Sequence, residues 1–241
     1  VVRAAMSTGK KCIAAGPGNP PVLVDETAHL ERAARDIVAG ASFDNNIICI
    51  VEKEILAVEA IADRLKQELV RAGAFLVRDA QVAKLTAALV DGDHPNKRFV
   101  GKNAGVILRE IGLDVPPDVR LAFFEAPESH PLVQIEQLLP VLPFVRVKNV
   151  DEGIAAGLRV EHGYRHTAVM HSLNVENLHR YARVANTSIF VKNAPSYAGL
   201  GFTGEGYTSW TIASPTGEGL TTALNYTRER RCVLKDYFRI V

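Results

Sequence analysis

Ile50-Val51-Glu52-Lys53-Glu54-Ile55-Leu56-Ala57-Val58 runs directly into Glu59-Ala60-Ile61-Ala62-Asp63-Arg64-Leu65-Lys66-Gln67-Glu68-Leu69, and the apolar period changes at the join. The first run is rich in β-branched and aliphatic residues. In the second, Ile61, Leu65 and Leu69 recur at helical spacing until Gly73 ends the pattern. A strand feeding a helix, repeated along a chain, predicts an α/β layered fold with a largely parallel, twisted sheet and flanking helices. The repeat is present on both sides. Upstream, Pro21-Val22-Leu23-Val24 reads as a strand end, followed by a helix over 28–39. That helix has one apolar stripe of Leu30, Ala33, Ala34, Ile37 and Val38, with the pairs Glu31/Arg35 and Arg32/Asp36 on its wet face.

Downstream, strands are expected at 119–124, 144–147, 167–171 and 187–191. Helices are marked by Val82, Leu85 and Leu89, by Ala104, Ile107, Leu108 and Ile111 ahead of Gly112, and over 151–160 and 174–185. From Asn193 the texture changes to a glycine-rich loop, then an alternating strand at 207–213, a helix over 216–226 and an edge strand at 231–234. The expected division is an α/β domain over 1–206 and a C-terminal segment over 207–241.

Composition excludes several classes. With 28 Lys+Arg against 27 Asp+Glu in 241 residues, the net charge of +1 provides no basic footprint for nucleic acid or an anionic membrane. No uncharged run approaches the ~20 apolar residues of a membrane span. Cys12, Cys49 and Cys232 are odd in number and scattered, which argues against a disulfide framework and for a reducing compartment. The opening Val1-Val2-Arg3-Ala4-Ala5-Met6 lacks an initiator Met and suits the middle of an amphipathic helix, so a cut-down chain is expected.

Few residues offer chemistry. Taken alone, Cys49, beside Ile47, Ile48 and Ile50, reads first as a small core hydrophobe. Its position favours more: Phe43-Asp44-Asn45-Asn46 forms a turn, and a thiol at a loop–strand junction can face the crevice where α/β sheets bind ligands. Gly199-x-Gly201-x-x-Gly204 matches a dinucleotide fingerprint in letters but opens no helix, so it reads as a loop near a site or interface. Ser214-Pro215-Thr216-Gly217-Glu218-Gly219 reads as a helix cap. His162, His166 and His171 would chelate zinc only if 161–166 were helical; a turn then a strand is expected, and no metal site. Cys12 and Cys232 read as structural, and Gly-x-Ser-x-Gly is absent.

Together, Ala15-Gly16-Pro17-Gly18-Asn19-Pro20-Pro21, the helix from Asp25 and Phe43-Asp44-Asn45-Asn46-x-x-Cys49 resemble the catalytic domain of the aldehyde dehydrogenase superfamily. With 211–221 and Arg230-Arg231-Cys232-Val233-Leu234, the whole chain is similar to the CoA-acylating propionaldehyde and acetaldehyde dehydrogenases of bacterial propanediol and ethanolamine utilisation. The resemblance implies that Cys49 is the nucleophile, with its own backbone N–H as an oxyanion donor. It also implies that Glu136 holds the nicotinamide ribose, and that NAD and coenzyme A serve as cofactor and co-substrate for a small aldehyde. Leu138 departs from the pattern, standing where hydrolytic members carry Phe. Ala14 stands where they carry the glutamate that activates water, which favours acyl transfer to CoA over hydrolysis.

The resemblance further implies a homo-oligomer, dimer or tetramer, joined through a C-terminal oligomerisation strand. A cytoplasmic location follows, or the lumen of a bacterial microcompartment with its shell as a partner. The NAD-binding domain and any targeting peptide are expected upstream of residue 1, so the 241 residues alone are expected not to turn over aldehyde. Two other readings are a non-catalytic interaction module and the aldehyde dehydrogenase half of a bifunctional alcohol–aldehyde dehydrogenase. The second is disfavoured because a fusion would be expected to continue past Val241.

Overall fold

The structure, a computed structural model, describes residues 1–236. In chain order, α1 (Val2–Met6), β1 (Pro21–Val24), α2 (Leu30–Ala41), β2 (Glu54–Val58) and α3 (Glu59–Arg71) form the first two strand–helix units. There follow β3 (Phe75–Leu76), α4 (Asp79–Leu89), the small hairpin of β4 (Val90–Asp91) and β5 (His94–Pro95), and α5 (Ala104–Glu110). The chain continues through β6 (Ala122–Glu125), α6 (Pro131–Gln134), β7 (Val141–Val147), α7 (Val150–Val160), β8 (Thr167–His171), α8 (Val175–Ala185) and β9 (Ile189–Lys192). A second small hairpin, β10 (Ile212–Ala213) with β11 (Gly219–Leu220), follows, and a 3-10 turn at Ala223–Tyr226 comes after it.

Seven strands form one sheet in the order β3-β6-β7-β2-β1-β8-β9, and every pairing in it is parallel. The order places the helices. The steps β1–α2–β2 and β2–α3–β3 move one way along the sheet, while β7–α7–β8 and β8–α8–β9 move the other. Right-handed crossovers therefore put α2 and α3 on one face and α7 and α8 on the opposite one. Each face is sealed as the apolar stripes predict: Leu30, Ala33, Ala34 and Ile37 of α2 are buried, as are Ile61, Leu65 and Leu69 of α3. Covered on both sides, β1 and β2 are buried at every position, which explains the apolar runs Pro21–Val24 and Ile55-Leu56-Ala57-Val58.

Several expected boundaries move. The strand anticipated at 50–58 begins only at Glu54. Ile50–Lys53 are buried but turned, with Val51 N–H donating to the Ile48 carbonyl. β6 starts later than 119, and β7 starts earlier than 144. Of the helix expected over 216–226, only a short 3-10 turn, Ala223–Tyr226, forms. Gly217 and Gly219 lie at φ 88° and 65°, outside right-handed helix, and Gly219–Leu220 pairs with Ile212–Ala213 instead. The run 207–211 is irregular, and only Ile212–Ala213 of the expected strand is one. Residues 231–234 are exposed and form no strand in this single chain, where no second strand lies against them. The end of the expected 207–241 segment, 237–241, lies outside the described residues.

Leu56 sits in β2 between β7 and β1 and is fully buried. Leu56→Ala should cost about 2–5 kcal/mol, read as a lower urea midpoint with an unchanged slope.

Candidate active site

Cys49 lies between a tight turn and β2, at the amino-terminal ends of the parallel strands. Open α/β sheets usually bind ligands beyond the opposite, carboxyl ends, so the expected crevice is on the other edge of the sheet from this thiol. At the same edge the fold gathers Gly18 ahead of β1, Glu136 ahead of β7 and His166 ahead of β8.

The turn before Cys49 is strained. Asp44, Asn45 and Asn46 have φ of 48°, 51° and 66°, three successive left-handed residues without a glycine. Asn and Asp tolerate this region best, yet each position still costs on the order of 1 kcal/mol or more. Side-chain bonds offset the strain. Asn45 Nδ2 donates to the Gly101 carbonyl (3.1 Å) and to Asn103 Oδ1 (2.8 Å). Asn46 Nδ2 donates to the carbonyls of Ala41 (2.7 Å) and Glu52 (3.0 Å). From the far side, the fully buried Lys53 ammonium donates to the Asn46 carbonyl (2.8 Å), Asn46 Oδ1 (2.7 Å) and the Ile48 carbonyl (3.4 Å).

Beside the turn, Gly18 is a packing necessity. A Cβ there would stand 2.7 Å from the Cys49 carbonyl oxygen and 2.9 Å from the His166 ring, so only glycine lets the three approach. Glu136 Oε1 accepts from Gly18 N–H at 3.4 Å, leaving Oε2 for another donor. Gln137 is fully buried and donates to the carbonyls of Lys53 (2.7 Å) and Leu132, tying the Glu136 loop to β2. Leu138 has φ 55°, so this loop too turns through the left-handed region.

The electrostatics are those of a closed edge. Burial pushes the Cys49 thiol up, the Glu136 carboxylate adds to the rise and the Lys53 ammonium opposes it. Burial likewise raises Glu136, against the pull of Lys53. Burial lowers Lys53 to about 8, while Glu136, Cys49, Glu54 and Glu52 act to keep it charged. His166 is lowered to about 4 by burial and by Lys53, so its imidazole is neutral near pH 7. Its Nδ1 pairs with Thr167 Oγ1 at 2.9 Å, and its buried Nε2 has no partner among the described residues.

The wall of the site is fixed by Glu52, whose carboxylate accepts from Ser196 N–H (2.9 Å) and Ser196 Oγ (2.7 Å). Ser196 opens the short helical turn 196–200, whose Tyr197 packs with Phe43 and Phe202 at centroid distances of 5.2 and 5.3 Å. The Gly199–Gly204 stretch is thus a loop against the Cys49 turn, and no helix opens from it. The Ser214–Gly219 stretch caps no helix. Thr216 Oγ1 accepts from Ala14 N–H at 3.2 Å, and Pro215 packs on Gly16, so this tail loop covers the segment leading to Gly18.

His166 and His171 stand at opposite ends of β8, and among the described residues no acidic, Cys or His cluster could hold a metal. Cys12 is half-buried and Cys232 exposed, both unpaired. The sequence singles out Cys49 and Glu136, which the fold brings to the same edge, but it does not mark Lys53 or Glu52 and offers His166 only as a metal ligand. The available signal was the charged triplet Glu52-Lys53-Glu54 set inside an apolar run.

A parallel α/β domain that offers one cysteine on a pinned turn, with a carboxylate and a neutral imidazole behind it, has the arrangement of a thiol-nucleophile enzyme. No family model matches the chain. The acetylating acetaldehyde dehydrogenase EutE of Salmonella typhimurium is 51% identical over 248 residues, covering 97% of this chain and 51% of its own length. A propionaldehyde dehydrogenase of Rhodopseudomonas palustris, solved with bound CoA and an acylated cysteine, matches at TM-score 0.94 and 50% identity, covering 97% of this chain and 54% of that one. Another, from the fucose utilisation bacterial microcompartment of Clostridium phytofermentans, matches at TM-score 0.93 and 47% identity over 99% of this chain and 55% of that one. The chain belongs to the aldehyde dehydrogenase superfamily, in the branch of the CoA-acylating acetaldehyde and propanal dehydrogenases. It spans about half the length of the curated relatives it matches.

Glu52 is fully buried, which raises its carboxyl from the usual 4.5 to about 7. Between those values the folded chain keeps a proton that the unfolded chain has lost, so stability should fall as pH rises through this window and level off above it. Glu52→Gln should flatten that slope, removing on the order of 2–3 kcal/mol of pH dependence from urea unfolding compared at pH 5 and 7.5.

Proposed function

We propose that this chain supplies the nucleophile half of a CoA-acylating aldehyde dehydrogenase that converts acetaldehyde or propionaldehyde to the corresponding acyl-CoA. The observation that carries the reading is Cys49 on its strained turn, in a chain whose residue 14 is alanine. The Cys49 sulfur attacks the aldehyde carbon, and the carbonyl oxygen takes up the electron pair against the Cys49 N–H. When bound, NAD supplies the acceptor for the hydride that leaves the same carbon as the thioester forms. Glu136 fits that role on the protein side: its Oε1 is anchored on Gly18, and Oε2 is left to take a ribose hydroxyl.

The thioester then meets the CoA thiol, whose sulfur bonds the acyl carbon as the Cys49 sulfur leaves. His166 Nε2 is a neutral, buried nitrogen behind the Cys49 turn with no partner among the described residues, and in this reading it is the acceptor toward which the thiol proton moves as the sulfur attacks. Ala14 has no carboxylate to activate water, and its N–H is already engaged by Thr216, so hydrolysis of the thioester lacks a base. The exposed Trp210, Leu224, Tyr226, Val233 and Leu234 of the tail support a homo-oligomer assembled there. The microcompartment origin of one relative supports a place in such a compartment or in the surrounding cytoplasm.

In the full-length protein, His166→Ala should leave the first-turnover burst of NADH near the wild-type size, while steady-state acyl-CoA formation falls by about 10²–10⁴-fold. Loss of the burst together with the steady state would assign His166 to the aldehyde step instead. Because His166 is already neutral near pH 7, the wild-type rate should show no limb at the usual histidine value.

A further inference from the structure

A lysine with no exposed surface is rare, because an ammonium removed from water must be repaid by hydrogen bonds and opposite charge. Lys53 receives both from the groups that shape the nucleophile. Its donors go to the Asn46 carbonyl, Asn46 Oδ1 and the Ile48 carbonyl, the last belonging to the peptide that carries the Cys49 N–H. Its backbone is held separately: Lys53 N–H donates to the Pro20 carbonyl at 2.9 Å, and Gln137 Nε2 donates to the Lys53 carbonyl. The side chain is therefore a rigid strut from the root of β2 into the underside of the left-handed turn.

We propose that Lys53 is the positioning residue of the Cys49 nucleophile: its ammonium clamps the Asp44–Ile48 turn and provides the positive charge that the Cys49 thiolate requires. Among the described residues, no other cation acts on Cys49. The charged and titratable groups around the pair are Glu136 from the loop before β7, Glu52 and Glu54 from β2 and its approach, and His166 ahead of β8. Three of these are carboxyls and the fourth is a neutral imidazole. Without Lys53, a thiolate at Cys49 would face burial and Glu136 with nothing to oppose them. The bond to the Ile48 carbonyl also polarises the adjoining peptide, making the Cys49 N–H a better donor to an oxyanion.

The inference rests on Cys49 being the nucleophile, and one experiment separates the two claims. Iodoacetamide alkylation of the folded chain is followed against pH by mass spectrometry of the Cys49 peptide, which distinguishes it from Cys12 and Cys232. Lys53→Met removes both charge and donors; Lys53→Gln removes the charge but keeps a donor toward the same carbonyls; Lys53→Arg keeps the charge. The alkylation midpoint should rise by about one unit or more in Lys53→Met and Lys53→Gln, a loss of roughly tenfold in rate below the midpoint, and stay near wild type in Lys53→Arg. Circular dichroism identifies any variant that fails to fold, and Lys53→Gln then answers alone. A uniform rate change at all pH values with an unmoved midpoint would reduce Lys53 to a structural residue and overturn the proposal. A wild-type Cys49 that resists alkylation at every pH would overturn the nucleophile assignment, and the proposal with it.

Discussion

Asp44, Asn45 and Asn46 all sit in the left-handed region just ahead of Ile47, Ile48 and Cys49, and the site depends on their staying there. A chain of three such residues unwinds unless something on each side holds it. Here α5 and the loop ahead of it hold Asn45, the end of α2 holds Asn46 through Ala41, and Lys53 holds the inner surface. The turn is therefore a joint between helix, strand and loop. It fixes where the Cys49 backbone N–H and sulfur stand before any substrate arrives, as a preorganised oxyanion site requires.

That joint explains why the chemistry gathers at the amino-terminal edge of a parallel sheet. Strands β1, β2, β7 and β8 are neighbours or near-neighbours in the sheet, so the segments that enter them arrive side by side. Gly18, Cys49, Glu136 and His166 come from four distant stretches of chain and meet because those entries do. The buried acids follow from the same geometry. Glu52 fixes the Ser196 loop against the turn, and Glu54, with burial pushing it well above its usual value, sits on the strand behind it.

How much of this was legible in the amino-acid pattern differs by element. The helices α2 and α3 and the strands β1 and β8 follow from burial periodicity, because each has a continuous apolar face that only one conformation buries. The turn was legible as Asp-Asn-Asn chemistry, and family resemblance singled out Cys49 and Glu136, which the fold does bring to one edge of the sheet. Lys53 was not, since a lysine in sequence carries no mark of where its ammonium will end. The His166 role depends on Gly18 and on the Cys49 carbonyl, more than a hundred residues upstream. The tail misled for a plain reason: alternation at 207–213 and a helix-like run at 216–226 are local signals, whereas glycines at positive φ and packing on Ala14 and Gly16 decided the outcome.

On the proposed function, the pinned turn presents Cys49, rather than Cys12 or Cys232, as the acyl carrier. This assignment is tested most directly by supplying the full-length protein with propanal and NAD while withholding CoA, quenching in acid, and mapping the peptides by mass. The expected product is a propanoyl thioester on Cys49 that persists for want of a water-activating base and disappears when CoA is added. An acyl group on Cys12 or Cys232, or free propanoate released as fast as NADH forms, would contradict it.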